Sequence, residues 1–468
     1  METLDLARWQ FAATTIYHFM FVPLTIGLST LVAVMQTAWV RTDNPTYLRM
    51  TRFWGKLLLV NFAIGVVTGI VQEFQFGMAW SDYSRFVGDV FGAPLAIEGL
   101  VAFMMESTFL GLWMFGWDRL PKKVHLATIW CVAIGTAASA YFILAANSWM
   151  QHPVGYRLNP VTGRAELESI WAVLTNDTAL FAFSHTILGA LGTAASVLVG
   201  ISVWHLYRER KAQRGPEHVD VFRKSARLGL VVMLAATTTT MAVGHFNAQL
   251  MTRQQPMKMA AAEALWDTTK GAPLSLLTLA PLEKKPERPS FELDIPKLAS
   301  FMATNDPNGT VKGINQLQAE LENAFGPGEY YPIVGLTYWS FRAMMGAGFF
   351  MIFAGAVGLL GWKRRIFERR WFQVTAMLAM AAGFLAHIFG WMFTEIGRQP
   401  WVVYGLQKTS DAVSHLAPGV IATSLAVFVV LYGVLAFIEV RLFLHYVRKG
   451  PEPDHVGDDG RPAMAITY

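Results

Sequence analysis

Nine stretches of this chain are long and apolar enough to cross a bilayer, and no other feature restricts its fold so severely. They run roughly over residues 11–40, 53–74, 94–116, 124–148, 179–206, 226–250, 332–361, 372–395 and 415–445, each reaching the ~20 residues a membrane helix needs. Hydrocarbon leaves backbone polar groups no partner outside their own segment, so such runs predict helices. With 53% hydrophobic and 15% charged residues among 468, a soluble domain is excluded and an all-α polytopic membrane protein is expected. The first run starts behind Glu2 and Asp5 and is too long for a signal-peptide core, so it reads as a retained span. Cys131 is the one cysteine and lies in an apolar run, which excludes a disulfide framework and a cysteine metal site. No internal repeat of the inverted-transporter type is evident.

The net charge of +5 does not point to nucleic acid, because the basic residues sit in short blocks between the apolar runs and there set topology. Arg41, Arg49 and Arg52 form one block, and Arg119, Lys122 and Lys123 the next. Arg208, Arg210, Lys211, Arg214, Arg223, Lys224 and Arg227 follow, then Lys363, Arg364, Arg365, Arg369 and Arg370. These connections alternate, and the positive-inside rule puts them in the cytoplasm. The N-terminus is then outside and the C-terminus cytoplasmic. Connections near 75–93, 149–178, 251–331 and 396–414 face out. The expected organisation is helices one to six over 1–250, one long outer loop over 251–331, helices seven to nine over 332–447 and a tail over 448–468. A polar, proline-containing loop of that length is expected to be functional or disordered.

Ionisable residues within the spans are costly and default to function. Glu395 ends an apolar run in Gly390-Trp391-Met392-Phe393-Thr394-Glu395-Ile396-Gly397-Arg398-Gln399-Pro400-Trp401; the alternative is a headgroup-level helix end stopped by Pro400. Glu98 and Glu106 lie eight residues apart on the third span, similar faces of a regular helix about 12 Å apart along its axis. Two buried carboxylates suit a proton relay, which Ser107, Ser139 and Asn147 could extend, although small polar residues also serve helix contacts. His18 and His185 are candidate metal or haem ligands, but His245 and His387 are also intramembrane, so histidine alone does not choose. Met344 is one of 22 methionines, most of which fill cores. Arg342, just inside the seventh span, suits an anion such as a haem propionate or lipid phosphate. Lys258 and Glu263, near the end of the sixth span, could bind and deprotonate a polar ring or form an exposed ion pair.

Taken together these residues resemble subunit I of the cytochrome bd quinol oxidases. The resemblance covers essentially the whole chain. It rests on Gly397-Arg398-Gln399-Pro400-Trp401, on Gln255-Pro256-Met257-Lys258 with Glu263, on Trp149-Met150-Gln151 before Pro153-Val154-Gly155, and on His18, His185, Glu98 and Glu106. It implies nine helices holding three haems near the outer face. His185 and Met344 are similar to the axial ligands of haem b558, whose His/Met pair leaves no open position and favours electron transfer. His18 and Glu395 resemble the ligands of haems b595 and d. The preferred arrangement is His18 with Glu98 at haem d and Glu395 at b595, although the reverse stays open. Lys258 and Glu263 match the quinol-binding part of the loop, in its short form. Arg342, Trp391 and Arg398 match positions tied to haem potential, propionates and electron passage.

The resemblance further implies a terminal oxidase of a bacterial or archaeal plasma membrane, built with a subunit II and, as a further option, small accessory subunits. It would oxidise menaquinol or ubiquinol outside and reduce oxygen with cytoplasmic protons passing Glu106, Ser107 and Glu98, without pumping. One alternative is a secondary transporter coupling protons to a solute through Glu98, Glu106 and Glu395, which predicts spans broken at the midplane and no haem. Another is a haem-binding assembly partner, which has no use for the acids or the quinol loop.

Overall fold

The computed structural model describes residues 2–212, 216–279 and 291–451. Arg214, the middle of the long connection and the tail beyond 451 lie outside the described residues. Among the described residues nine helical runs are long and apolar enough to cross a membrane. The nine expected spans are therefore present.

The first run is broken. It consists of α1 (Thr3–His18) and α2 (Val22–Thr42), with the break directly after His18. Pro23 is the cause: it has no N–H to offer the carbonyl four residues back and its ring crowds that carbonyl. Buried Asn61, from α3 (Pro45–Met78), braces the restart of the helix by donating to Thr25 Oγ1 (2.7 Å) and to the Phe21 carbonyl (2.9 Å), which also accepts from the Thr25 N–H. A break inside protein is tolerated when its polar groups are paired in this way.

The third run begins earlier than its apolar core. The helix α4 (Ser81–Ile97) contains Pro94, passes into a π-helical segment (Glu98–Phe103) and continues as α5 (Met104–Phe115). The regular-helix spacing expected between Glu98 and Glu106 therefore does not hold. The wider π turn changes the phase between them, and such segments recur at functional sites.

The helix α6 (Lys122–Gln151) is regular. After it come a short hairpin of β1 (Tyr156–Leu158) and β2 (Ala165–Leu167), the short α7 (Ile170–Leu174), and the long α8 (Asp177–Ala212) and α9 (Pro216–Gln254). Helices α2 and α8 approach closely: a Cβ on Gly27 would lie 2.3 Å from the Ala190 carbonyl oxygen, as expected where small residues let membrane helices touch. Leu28, Trp54, Leu198, Phe222 and Met233 form part of the core cluster there.

The connection after α9 is folded. It carries α10 (Pro256–Ala262), β3 (Thr269–Lys270), β4 (Leu274–Leu279), β5 (Phe291–Ile295), α11 (Leu298–Thr304), β6 (Thr310–Val311) and α12 (Ile314–Phe325). Met257, Ala260, Ala261, Ile314 and Leu317 give it a core of its own, joined to Val334. The last long helices are α13 (Val334–Leu360), α14 (Arg370–Ile396) and α15 (Pro418–Lys449). Between the last two lies a hairpin of β7 (Trp401–Val403) and β8 (Gln407–Lys408). At the opposite end from this folded connection, Arg49 pairs with Glu217 (2.6 Å) and Lys122 with Asp43 (2.5 Å), so three of the basic connections meet at one end of the bundle.

Candidate functional site

The end of α14 organises the site. Pro400 stops the helix soon after Glu395, and the chain turns back on itself there. One Glu395 oxygen accepts from Asn147 Nδ2 on α6 (2.9 Å), and the other is bound by the Arg398 guanidinium. Arg398 is 3% exposed and its Nε also donates to the Trp401 carbonyl (3.3 Å), while Nη1 is buried without a partner. Glu395 is therefore held on both oxygens, by Asn147 of α6 and by Arg398.

Lys258 and Glu263 do not pair with each other. Lys258 points inward: its Nζ donates to Gln151 Oε1 (2.6 Å), and its stem crosses Gly397, where a Cβ would lie 2.7 Å from Lys258 Cγ. Glu263 instead pairs with Arg342 (2.6 Å), whose Nε donates to the Ser275 carbonyl (2.7 Å) and whose guanidinium lies over the Tyr338 ring at 4.7 Å. The anion beside Arg342 is Glu263, from the chain itself; Arg342 Nη1 is buried with no partner. Burial pushes the Glu263 carboxyl up against the lowering pull of Arg342.

Burial drives the Lys258 ammonium down to about 7, with the Arg398 charge adding and Glu395 opposing. The folded protein gives up this proton near pH 7, whereas the unfolded chain keeps it to 10.5. The resulting penalty is full below about pH 7 and shrinks as pH rises through that window, so stability gains with pH there. Thermal unfolding in detergent between pH 6.5 and 9 should show this slope in the native protein and lose it in Lys258→Met. An equal slope in both would remove Lys258 as its source.

The acids of the third run are both buried, each 8% exposed. Ser139 Oγ on α6 donates to Glu98 Oε1 (2.6 Å), and α6 passes so near Glu106 that a Cβ on Gly135 would lie 3.0 Å from the Glu106 Cβ. Of the three polar residues considered as relay partners, Ser139 touches Glu98 and Asn147 holds Glu395. Ser107 Oγ donates to the Phe103 carbonyl of its own helix (2.7 Å).

His18 ends α1 at the break. Its Nδ1 lies 2.9 Å from Thr68 Oγ1, which also lies 3.0 Å from the carbonyls of Ile64 and Gly65. A hydrogen bond at one ring nitrogen is what orients an imidazole whose other nitrogen serves as a ligand. Trp391 stacks on Phe19 at the same break (4.8 Å between centroids). His185 Nδ1 is buried without a partner. Four candidate ligands face glycines: His18 meets Gly69, His185 Gly244, Met344 Gly390 and His387 Gly189, where a Cβ would come within 3.0–3.2 Å.

Residues 6–451 match the sequence pattern of the family described as cytochrome bd terminal oxidase subunit I. The chain belongs to that family. It is 46% identical over 460 residues to cytochrome bd ubiquinol oxidase subunit 1 of Bacillus subtilis (strain 168), covering 98% of this chain and 96% of that one. Against cytochrome bd-II ubiquinol oxidase subunit 1 of Escherichia coli (strain K12) the identity is 37%, over 96% and 97%. The fold is similar to bd oxidase from Geobacillus thermodenitrificans, with a TM-score of 0.86, 28% identity, and 96% and 99% of the chains covered. As a cytochrome bd subunit I, the chain is a multi-pass membrane component of a terminal quinol oxidase, a haem enzyme of electron transport that works with a second subunit. The transporter alternative anticipated spans broken at the midplane; the first run is broken directly after His18, in a chain whose family is an oxidase subunit.

The donor chemistry fits haem. Among the described residues no three His, Cys, Asp or Glu side chains converge as a bare metal ion would require. A haem brings its own equatorial nitrogens and asks the protein for one or two axial ligands, such as an imidazole with a free lone pair, a buried imidazole, a thioether or a carboxylate. Glycines lie against His18, His185 and Met344, where any side chain would crowd them. Sequence reasoning gave Gln151, Thr68 and Asn61 no individual role; only their tertiary contacts reveal one.

Proposed function

We propose that this chain is the haem-bearing subunit of an oxidase that takes electrons from quinol at the outer face and reduces oxygen to water with cytoplasmic protons. Proton motive force then arises without pumping, from release on one side and uptake on the other. The observation that carries this reading is the junction at Gly397, where the Lys258 segment packs against the Glu395–Arg398 segment. A quinol-binding helix and a haem-ligand carboxylate would thus share one wall.

Three haems, b558, b595 and d, supply the electron transfer and oxygen chemistry when bound. His185 and Met344 would hold b558. His18, with Glu98 nearby, would hold haem d, and Glu395 would hold b595. In the connection 251–331, read as the short quinol loop, Glu263 accepts a proton from a quinol hydroxyl while Arg342 holds the carboxylate in place. Lys258 orients the ring from the inner side, and either menaquinol or ubiquinol would serve. Arg398 fixes the Glu395 carboxylate, and Trp391 braces the turn beside His18 through Phe19.

Protons for water would pass from Glu106 to Glu98, with Ser139 orienting the Glu98 carboxyl. Ser107 can join this route by rotating away from the Phe103 carbonyl. Meeting of the basic connections at one end supports the cytoplasmic assignment of that end. The finer setting is the plasma membrane of a bacterium or archaeon, with the tail of 448–468 inside. A proton path shared with subunit II, and small accessory subunits, complete the assembly.

A reduced-minus-oxidised absorbance spectrum of the purified complex, with haem extraction, tests the reading. Both b-type and d-type bands are expected. A colourless complex would overturn it and leave the buried acids to proton-coupled transport.

A further inference from the structure

Gln151 closes the last turn of α6, is 5% exposed, and takes no part in the chemistry above. Its side-chain oxygen accepts from Lys258 Nζ (2.6 Å) and from Gln255 Nε2 (3.0 Å), and its main-chain carbonyl accepts from Gln255 Nε2 as well. One residue of α6 therefore grips both Lys258 and the residue that precedes α10. Turning the amide over would set its NH2 against the ammonium, donor against donor, so Lys258 dictates its orientation. One turn back on α6, Asn147 holds Glu395, and two turns further back Ser139 holds Glu98. These three residues fall within an arc of about 120° along some 18 Å of helix. A single rigid element thus touches α10, the end of α14 and the π segment.

We propose that Gln151 is a positioning residue for quinol oxidation, which pins Lys258 over Gly397 so that α10 and the Arg398–Glu395 end of α14 keep one fixed relation. The proposal rests on the reading of α10 as quinol-binding. An apolar residue at 151 would leave the ammonium buried without its acceptor. The Lys258 stem would then leave Gly397, and α10 would lose its anchor. A carboxylate at 151 would preserve the acceptor.

The test compares the native two-subunit complex with Gln151→Leu, Gln151→Glu, Lys258→Met and the double variant Gln151→Leu/Lys258→Met. Each is assayed for quinol KM and kcat and for its dithionite-reduced spectrum. Gln151→Leu should raise KM about tenfold or more, the scale of one charge-assisted hydrogen bond, with kcat within about threefold and the low-spin band intact. Gln151→Glu should restore KM to within about threefold of native. The double variant should be no worse than Lys258→Met, because both changes break one contact. A native KM in Gln151→Leu, or effects that multiply in the double variant, would overturn the proposal. If Gln151→Leu does not assemble, Gln151→Ala decides in its place, since it should raise KM about tenfold where Lys258 is present and add nothing to Lys258→Met. A native complex that does not oxidise quinol would sink the functional reading itself, whatever the variants do.

Discussion

Glu98→Gln is expected to lower quinol-driven oxygen consumption roughly 100-fold or more, the range lost when a positioned proton-transfer group is removed. The substitution keeps the size of the side chain and keeps an oxygen for Ser139 Oγ, which donates to it at 2.6 Å. Packing at the start of the π segment is therefore preserved, and what disappears is the ability to take up and release a proton. The low-spin b-type band should still be fully reduced by quinol, because the proposed quinol site rests on α10 and the Glu263–Arg342 pair and not on the π segment. Ser139→Ala, which removes only the orienting bond, should cost far less. Oxygen electrode traces and spectra from the same preparation check both points, and a native rate in Glu98→Gln would remove Glu98 from the mechanism.

The second large effect is expected at His185 and Met344, the pair proposed to hold the low-spin haem. His185→Leu replaces a buried imidazole, whose Nδ1 has no hydrogen-bond partner among the described residues, by an apolar group of similar bulk. The low-spin band should vanish and quinol oxidation should fall by roughly 100-fold or more, since even residues that merely support a ligand commonly cost 10–100-fold. Met344→Leu should leave a band displaced in wavelength, because the imidazole still binds on one side. His387→Leu is the control: this histidine faces Gly189, one turn along α8 from His185, yet has no assigned ligand role. A low-spin band that survives His185→Leu and disappears in His387→Leu would transfer the role to His387.

The spans were legible because about twenty consecutive apolar residues admit no other fold in a bilayer. The break after His18 was not, because its cause, Pro23, leaves the run as apolar as before and the side chain that braces it, Asn61, comes from another helix. Charged Asp82, Arg85 and Asp89 hid the first half of the third run, since hydropathy marks the hydrocarbon core and not where a helix starts. Site residue types were legible through their cost in lipid, but their partners were not. Lys258 and Glu263 are five residues apart in sequence yet bind Gln151 and Arg342 respectively. The contact between Asn147 and Glu395 spans 248 residues, and no periodicity reports such a distance.

The α6 contacts also make that helix a ruler that cannot be cut. Each residue added to a helix turns everything beyond it by about 100° and advances it by about 1.5 Å. One residue inserted between Ser139 and Asn147 would keep the bond to Glu98 and swing Asn147 and Gln151 together away from Glu395 and Lys258. Loops of this protein can lengthen or shorten without such loss, whereas between 139 and 151 the number of residues is itself fixed.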